Sequence, residues 1–102
     1  MRFGLPESAI EQICAVFAAH PEIEQAVLYG SRAKGNFKPG SDIDLTLFGT
    51  DLSHELLLDL LVELDDLLLP WMIDLSLFAS LNHPALQEHI TRVGVLFYQR
   101  QE

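Results

Sequence analysis

The chain has 102 residues, 49% of them hydrophobic and 21% charged, which suits one domain around one core and is too apolar for a disordered segment. Its net charge of −9 opposes direct binding to long nucleic acid, where affinity is dominated by neutralising phosphates. Cys14 is the only cysteine, no basic-then-apolar leader opens the chain, and Asp59, Glu63, Asp65 and Asp66 interrupt the apolar stretch from Leu52 to Trp71, so the expectation is a cytoplasmic domain without a membrane span.

Taken in chain order, Pro6 to His20 predicts a helix: Ser8 and Glu11 have capping-box spacing, and Ile10, Ile13, Cys14 and Phe17 share one apolar face. His20-Pro21 ends it. Gln25 to Tyr29 predicts a short strand closed by Gly30, then a turn or helical stub over Ser31 to Gly35 and a loop over Asn36 to Ser41. Asp42 to Phe48 predicts a second strand, with Ile43, Leu45 and Leu47 alternating against Asp42, Asp44 and Thr46.

A long helix follows from about Ser53 to Leu69, stopped by Pro70. Leu57, Leu60, Leu61, Leu64 and Leu68 form its expected core stripe, and Glu55, Asp59, Glu63 and Asp66 its solvated stripe. Leu56, Leu58, Val62, Leu67 and Leu69 are apolar surplus, covered either by neighbouring helices or by a partner. Met72 to Phe78 predicts a third strand with Asp74 in phase, a helix runs from Asn82 or Pro84 to Val93, and Val95 to Tyr98 adds a short fourth strand. The expected fold is α/β (α+β): a small mixed sheet of three or four strands with helices covering one side, all of residues 1–102 in a single domain.

The chemistry concentrates in "LYGSRAKGNFKPGSDIDLTLF", Leu28 to Phe48. Asp42 and Asp44, at i and i+2, project to one face, and carboxylates so close repel unless a proton or cation intervenes. A hard divalent metal is the usual solution, Mg²⁺ taking one or two carboxylates and completing its shell with water and phosphate oxygens. Asp74 offers a third carboxylate, and such a set suits two metals clamping a phosphoryl-type displacement. Upstream, Gly30-Ser31 sits where a strand meets a helical turn, a place that offers backbone N–H groups to an anion. Arg32, Lys34 and Lys38 add positive charge there. Gly-Ser, a ten-residue gap and Asp-x-Asp would coincide by chance in roughly one or two chains per thousand of this length. "DIDLT" also fits the opening of haloacid-dehalogenase-like phosphatases, but there the aspartates cap the end of a strand, whereas here they begin one.

Gly30-Ser31, Asp42-x-Asp44 and Asp74, with "GSRAKG", "SDIDL" and "LPWMIDL" around them, resemble the signature of the DNA polymerase β-like nucleotidyltransferase superfamily, and the short chain is similar to its minimal nucleotidyltransferases. The resemblance implies Asp42, Asp44 and Asp74 as catalytic metal ligands for two Mg²⁺ ions. It implies Gly30 and Ser31 as holders of the ATP triphosphate, with Arg32 and Lys34 neutralising the leaving pyrophosphate or bracing the loop. Lys34 stands where the family often has arginine, keeping the charge and losing the bidentate fork.

The same resemblance implies a partner, a co-encoded HEPN-domain ribonuclease toxin. The domain would act as its antitoxin, by moving AMP to a hydroxyl such as a tyrosine or by masking the toxin through complex formation. The four histidines show no shared ligand spacing; His20, His54 and His83 suit surface or helix-end roles, Cys14 a core position, and Trp71 either core or interface.

Overall fold

A computed structural model of the protein describes residues 1–101. The elements run α1 (Glu7–Ala18), β1 (Gln25–Tyr29), α2 (Ser31–Lys34), β2 (Ile43–Phe48), α3 (His54–Asp65), β3 (Ile73–Leu77), a 3₁₀ turn (Phe78–Ser80), α4 (Pro84–Val93) and β4 (Val95–Gln99). The strands form one mixed sheet in the order β3-β2-β1-β4. β1 is antiparallel to both β2 and β4, while β2 and β3 run parallel.

Strand alternation decides what the sheet covers. Ala26, Leu28, Ile43, Leu45, Leu47, Leu75 and Leu77 turn one way and join the core with Ile10, Ile13 and Phe17 of α1 and Leu56, Leu60 and Leu64 of α3. The expectation of helices on one side only is not met. Gly94, ending α4, closes on Val27, whose side chain points away from Ala26 and Leu28, so α4 lies against the second face.

Two helix details also differ from expectation. The Ser8–Glu11 capping box does not form, because α1 begins at Glu7 with Pro6 in the cap position and no side-chain cap. Glu7 instead receives Arg2, whose Nη2 lies 3.1 Å from Oε1. The second difference lies in α3, which begins at a Ser53 cap, Oγ accepting from Leu56 N–H at 3.1 Å, but ends at Asp65 instead of Leu69. Its buried stripe is Leu56, Leu60 and Leu64, a strict i, i+4 row. Leu57 is half-buried, whereas Leu61 and Leu68 are exposed. Leu68 leaves the stripe because the chain has left the helix, turning at φ 55.

Candidate active site

Where β1 ends, Gly30 takes φ 76 and ψ −155, a region open to glycine and essentially closed to other residues. That conformation swings the chain from the strand directly into α2 at Ser31. A Cβ on Gly30 would land on the Asp44 carboxylate, so the bare backbone is what lets the turn lie against β2. The first N–H groups of so short a helix have no intrahelical acceptor. Ser31 is half-buried beside them and Lys34 is exposed at the far end of α2.

Sheet register assembles the acidic half. Tyr29 on β1 pairs with Asp44 on β2, and Asp44 pairs with Asp74 on β3, so one row crosses three strands on the face opposite the core. Asp42 stands two residues before Asp44, just ahead of β2, and is exposed, as is Asp74. Burial first, then the charges of Asp74 and Asp42, push the Asp44 carboxyl above its ordinary range. The three aspartates are therefore close enough to repel, although among the described residues no three carboxylate, histidine or thiol groups converge into a ready-made metal cage. Such a set of hard, mutually repelling oxygens fits Mg²⁺, which takes few protein ligands and the rest from water and phosphate.

Beneath the row lies a polar floor that the sequence pattern did not single out. Ser76 Oγ donates to Thr46 Oγ1 at 3.0 Å, and Thr46 is fully buried. Burial first holds the acidity of the Tyr29 hydroxyl below that of a free phenol, the Asp74 and Asp44 charges adding to it and the Ser76 side chain opposing it. The signal was present, since Tyr29, Thr46 and Ser76 stand in phase with the aspartates, but hydroxyl residues in strands have many uses.

Arg32 does not stand with the anion-facing groups. It is 2% exposed, with Nη1 donating to the Phe3 carbonyl at 2.8 Å and Nη2 to the Pro39 and Ser41 carbonyls at 3.2 and 2.9 Å. Its Nε reaches Ser41 O at 3.1 Å, and the guanidinium lies against the rings of Phe37 and Trp71. The Trp71 indole N–H closes the assembly by donating to Pro39 O at 3.0 Å. Of the two roles open to Arg32 in the sequence, this geometry is that of a brace: it fixes the loop that delivers Asp42. Lys34 is exposed at the end of α2.

The remaining candidates have structural places. His83 Nδ1 caps α4 by accepting from Leu86 N–H at 3.1 Å, and Cys14 is half-buried with Sγ 3.6 Å from Phe97 O. His20 Nε2 meets Glu63 Oε2 at 2.8 Å, tying the end of α1 to α3. No helix among the described residues is long and apolar enough to cross a membrane.

Comparison with known proteins agrees with this geometry. The crystal structure of a toxin–antitoxin with AMP-PNP superimposes with a TM-score of 0.70 at 23% identity, covering 95% of this chain and 76% of that one. The toxin–antitoxin MntA–HepT gives a TM-score of 0.67 at 19% identity, covering 94% and 74%. A protein from Sulfolobus solfataricus classed as a nucleotidyltransferase gives 0.53 at 20% identity, covering 92% and 86%. At these identities the likeness is one of fold. No curated protein sequence matches the chain significantly. The family described as "Polymerase beta, Nucleotidyltransferase" matches residues 11–102, a span that takes in the glycine turn and all three aspartates, and the chain belongs to that nucleotidyltransferase family.

Proposed function

We propose that residues 1–102 act as one minimal nucleotidyltransferase domain that binds Mg-ATP and moves AMP to a hydroxyl, a tyrosine, of a HEPN-domain toxin, so serving as that toxin's antitoxin. The observation that carries this reading is the Tyr29–Asp44–Asp74 row lying against the Gly30 turn, with Asp42 beside it, in a nucleotidyltransferase fold. Support for the nucleotide and the partner comes from fold neighbours, one bound to AMP-PNP and several being toxin–antitoxin assemblies.

In this reading the Gly30–Ser31 turn holds the triphosphate through backbone N–H groups and the Ser31 hydroxyl. Lys34 offsets charge on the departing pyrophosphate, and Arg32 keeps the 36–41 loop, and so Asp42, in place. Asp42, Asp44 and Asp74 would hold two Mg²⁺ ions, which when bound would neutralise phosphate charge and make the attacking hydroxyl easier to deprotonate. That hydroxyl oxygen bonds to the α-phosphorus, the bond to the bridging oxygen breaks, pyrophosphate leaves, and Asp74 accepts the proton.

Incubating the chain with labelled ATP, Mg²⁺ and the protein encoded beside it tests the reading. The label should pass to the partner and stop doing so with Asp42→Asn; no label with either form overturns it. A second reading, masking of the toxin by occupancy, is favoured by exposed apolar side chains at Leu58, Val62, Leu68 and Met72. Replacing Asp42 and Asp44 together by Asn decides: neutralisation that survives the change belongs to masking.

A further inference from the structure

We propose that the groove between the end of α3 and the start of β3 seats the acceptor protein, and that its occupant is an amphipathic helix with an apolar face and basic flanks. This rests on the protein-acceptor reading above and gives it a surface. The groove, about 550 Å³, is lined by Leu61, Val62, Leu68, Leu69, Trp71 and Met72. Apolar side chains gathered in a groove with a carboxylate among them suit a partner surface.

Leu68 is the sharpest observation. It is 88% exposed and adopts φ 55, where glycine or asparagine sits without strain. An asparagine there would remove both the backbone strain and the exposed apolar surface. A leucine in that place has a use only if something covers it. Val62 and Met72, at 61% and 70% exposure, extend the same surface.

Charge and position select the occupant. Asp65 lines the groove and Asp66 stands exposed beside it at the end of α3, so an apolar helix flanked by lysine or arginine is complementary. A second copy of this chain is not, because each carries a net charge of −9 and six basic residues in all. The groove is also continuous with the site. The Met72 carbonyl accepts from Ile43 N–H at 2.9 Å, between Asp42 and Asp44, and Ile73 in the groove wall precedes Asp74. Trp71 forms one wall and rests on Arg32, the brace of the loop leading to Asp42. A helix seated there is delivered to the acidic edge of β3, where an acceptor hydroxyl is needed.

Trp71 is the only tryptophan, so its fluorescence reports on the groove directly. The probe is a synthetic leucine–lysine amphipathic helix of about 18 residues, long enough to be helical on a surface, with its leucine–glutamate counterpart as control. The lysine peptide should shift Trp71 emission to the blue and saturate, and the glutamate peptide should not. Val62→Asp with Leu68→Asn should weaken the response at least about tenfold while AMP-PNP binding stays unchanged. Equal response to both peptides, no loss in the double variant, or self-association of the wild type abolished by that variant would each overturn the proposal. Asp42→Asn separates this inference from the reading it rests on: transfer is lost while the Trp71 response persists. A persisting response in a wild type that transfers nothing counts against the enzyme alone.

Discussion

Gly30 and Asp44 face each other so closely across β1 and β2 that a single methyl group on the glycine would occupy the carboxylate's place. The conformation of Gly30, φ 76 and ψ −155, independently excludes a side chain. Gly30→Ala should therefore lose about 1–3 kcal/mol of stability from backbone strain and, beyond that, displace Asp44. Thermal unfolding with and without Mg-ATP checks both parts: a lower Tm, and loss of the upward shift that the nucleotide gives. Gly35 is the control, since its φ of 85 is strained for alanine but a Cβ there meets nothing. Gly35→Ala should cost about 1 kcal/mol and leave the nucleotide shift intact.

Arg32→Lys distinguishes a brace from a phosphate ligand. A lysine cannot reproduce a fork that serves the Phe3, Pro39 and Ser41 carbonyls together, so its compact ammonium would leave buried carbonyls without a donor. The expected cost is about 2–3 kcal/mol, a fall in Tm of roughly 10–20 °C for a domain of this size. Nucleotide affinity, measured well below that Tm, should change little. Preserved stability with lost affinity would instead place the guanidinium on the triphosphate.

Much of this was legible because the site is written in strand arithmetic. Asp42, Asp44 and Asp74 alternate against Ile43, Leu45, Ile73 and Leu75, and period two alone sends the acids to the face opposite the α1–α3 core. Register could not be read: nothing local says that Asp44 pairs with Asp74 in a parallel ladder, a long-range outcome of packing. Nor could the sequence choose between the two roles it left open to Arg32. Its place beside Gly30-Ser31 in sequence suggests the anion, but the carbonyls that capture it come from Phe3, Pro39 and Ser41, brought there only by folding. The α3 stripe was misread at Leu61 and Leu68 because runs of leucine erase the contrast on which helical periodicity depends, and the helix ends before Leu68.

Thr46 and Ser76 form a pair that should show coupling. Thr46→Val keeps the shape and removes the hydroxyl that accepts from Ser76 Oγ at 3.0 Å, at a cost of about 1–2 kcal/mol. Ser76→Ala removes the donor of the same bond. Urea denaturation of the single and double variants should give a double-variant loss smaller than the sum by about 0.5–1 kcal/mol. Strict additivity would mean that the two hydroxyls act separately.

Cys14 supplies a pH dependence with a defined sign. Burial pushes its thiol above the ordinary range, outweighing the opposite pull of the Arg2 charge. The folded state thus keeps the proton longer than the unfolded state does. This contribution to stability is complete below the unfolded thiol value and is lost as pH rises through the folded one. The stability difference between wild type and Cys14→Ala should narrow in wild type's disfavour as pH rises above the ordinary thiol value of about 8.5. Alkylation of the folded protein at pH 8 should be slower than that of a free thiol.

Asp44→Asn should split stability from function. Asp44 is held near Asp74 and Asp42 in partial burial, and without a cation that proximity is a repulsion. Removing its charge should stabilise the metal-free protein, by on the order of 0.5 kcal/mol once solvent screening is allowed for, which is a rise of a few degrees in Tm. The wild type should gain stability on adding Mg²⁺ with ATP, because ligand binding to the folded state shifts the equilibrium. The variant should gain little, having lost the carboxylate at the centre of the row. Scanning both proteins with EDTA and then with Mg-ATP gives the answer in one experiment. If Asp44→Asn lowers the metal-free Tm, the aspartates are not in mutual conflict, and the case for a cation among them loses its physical basis.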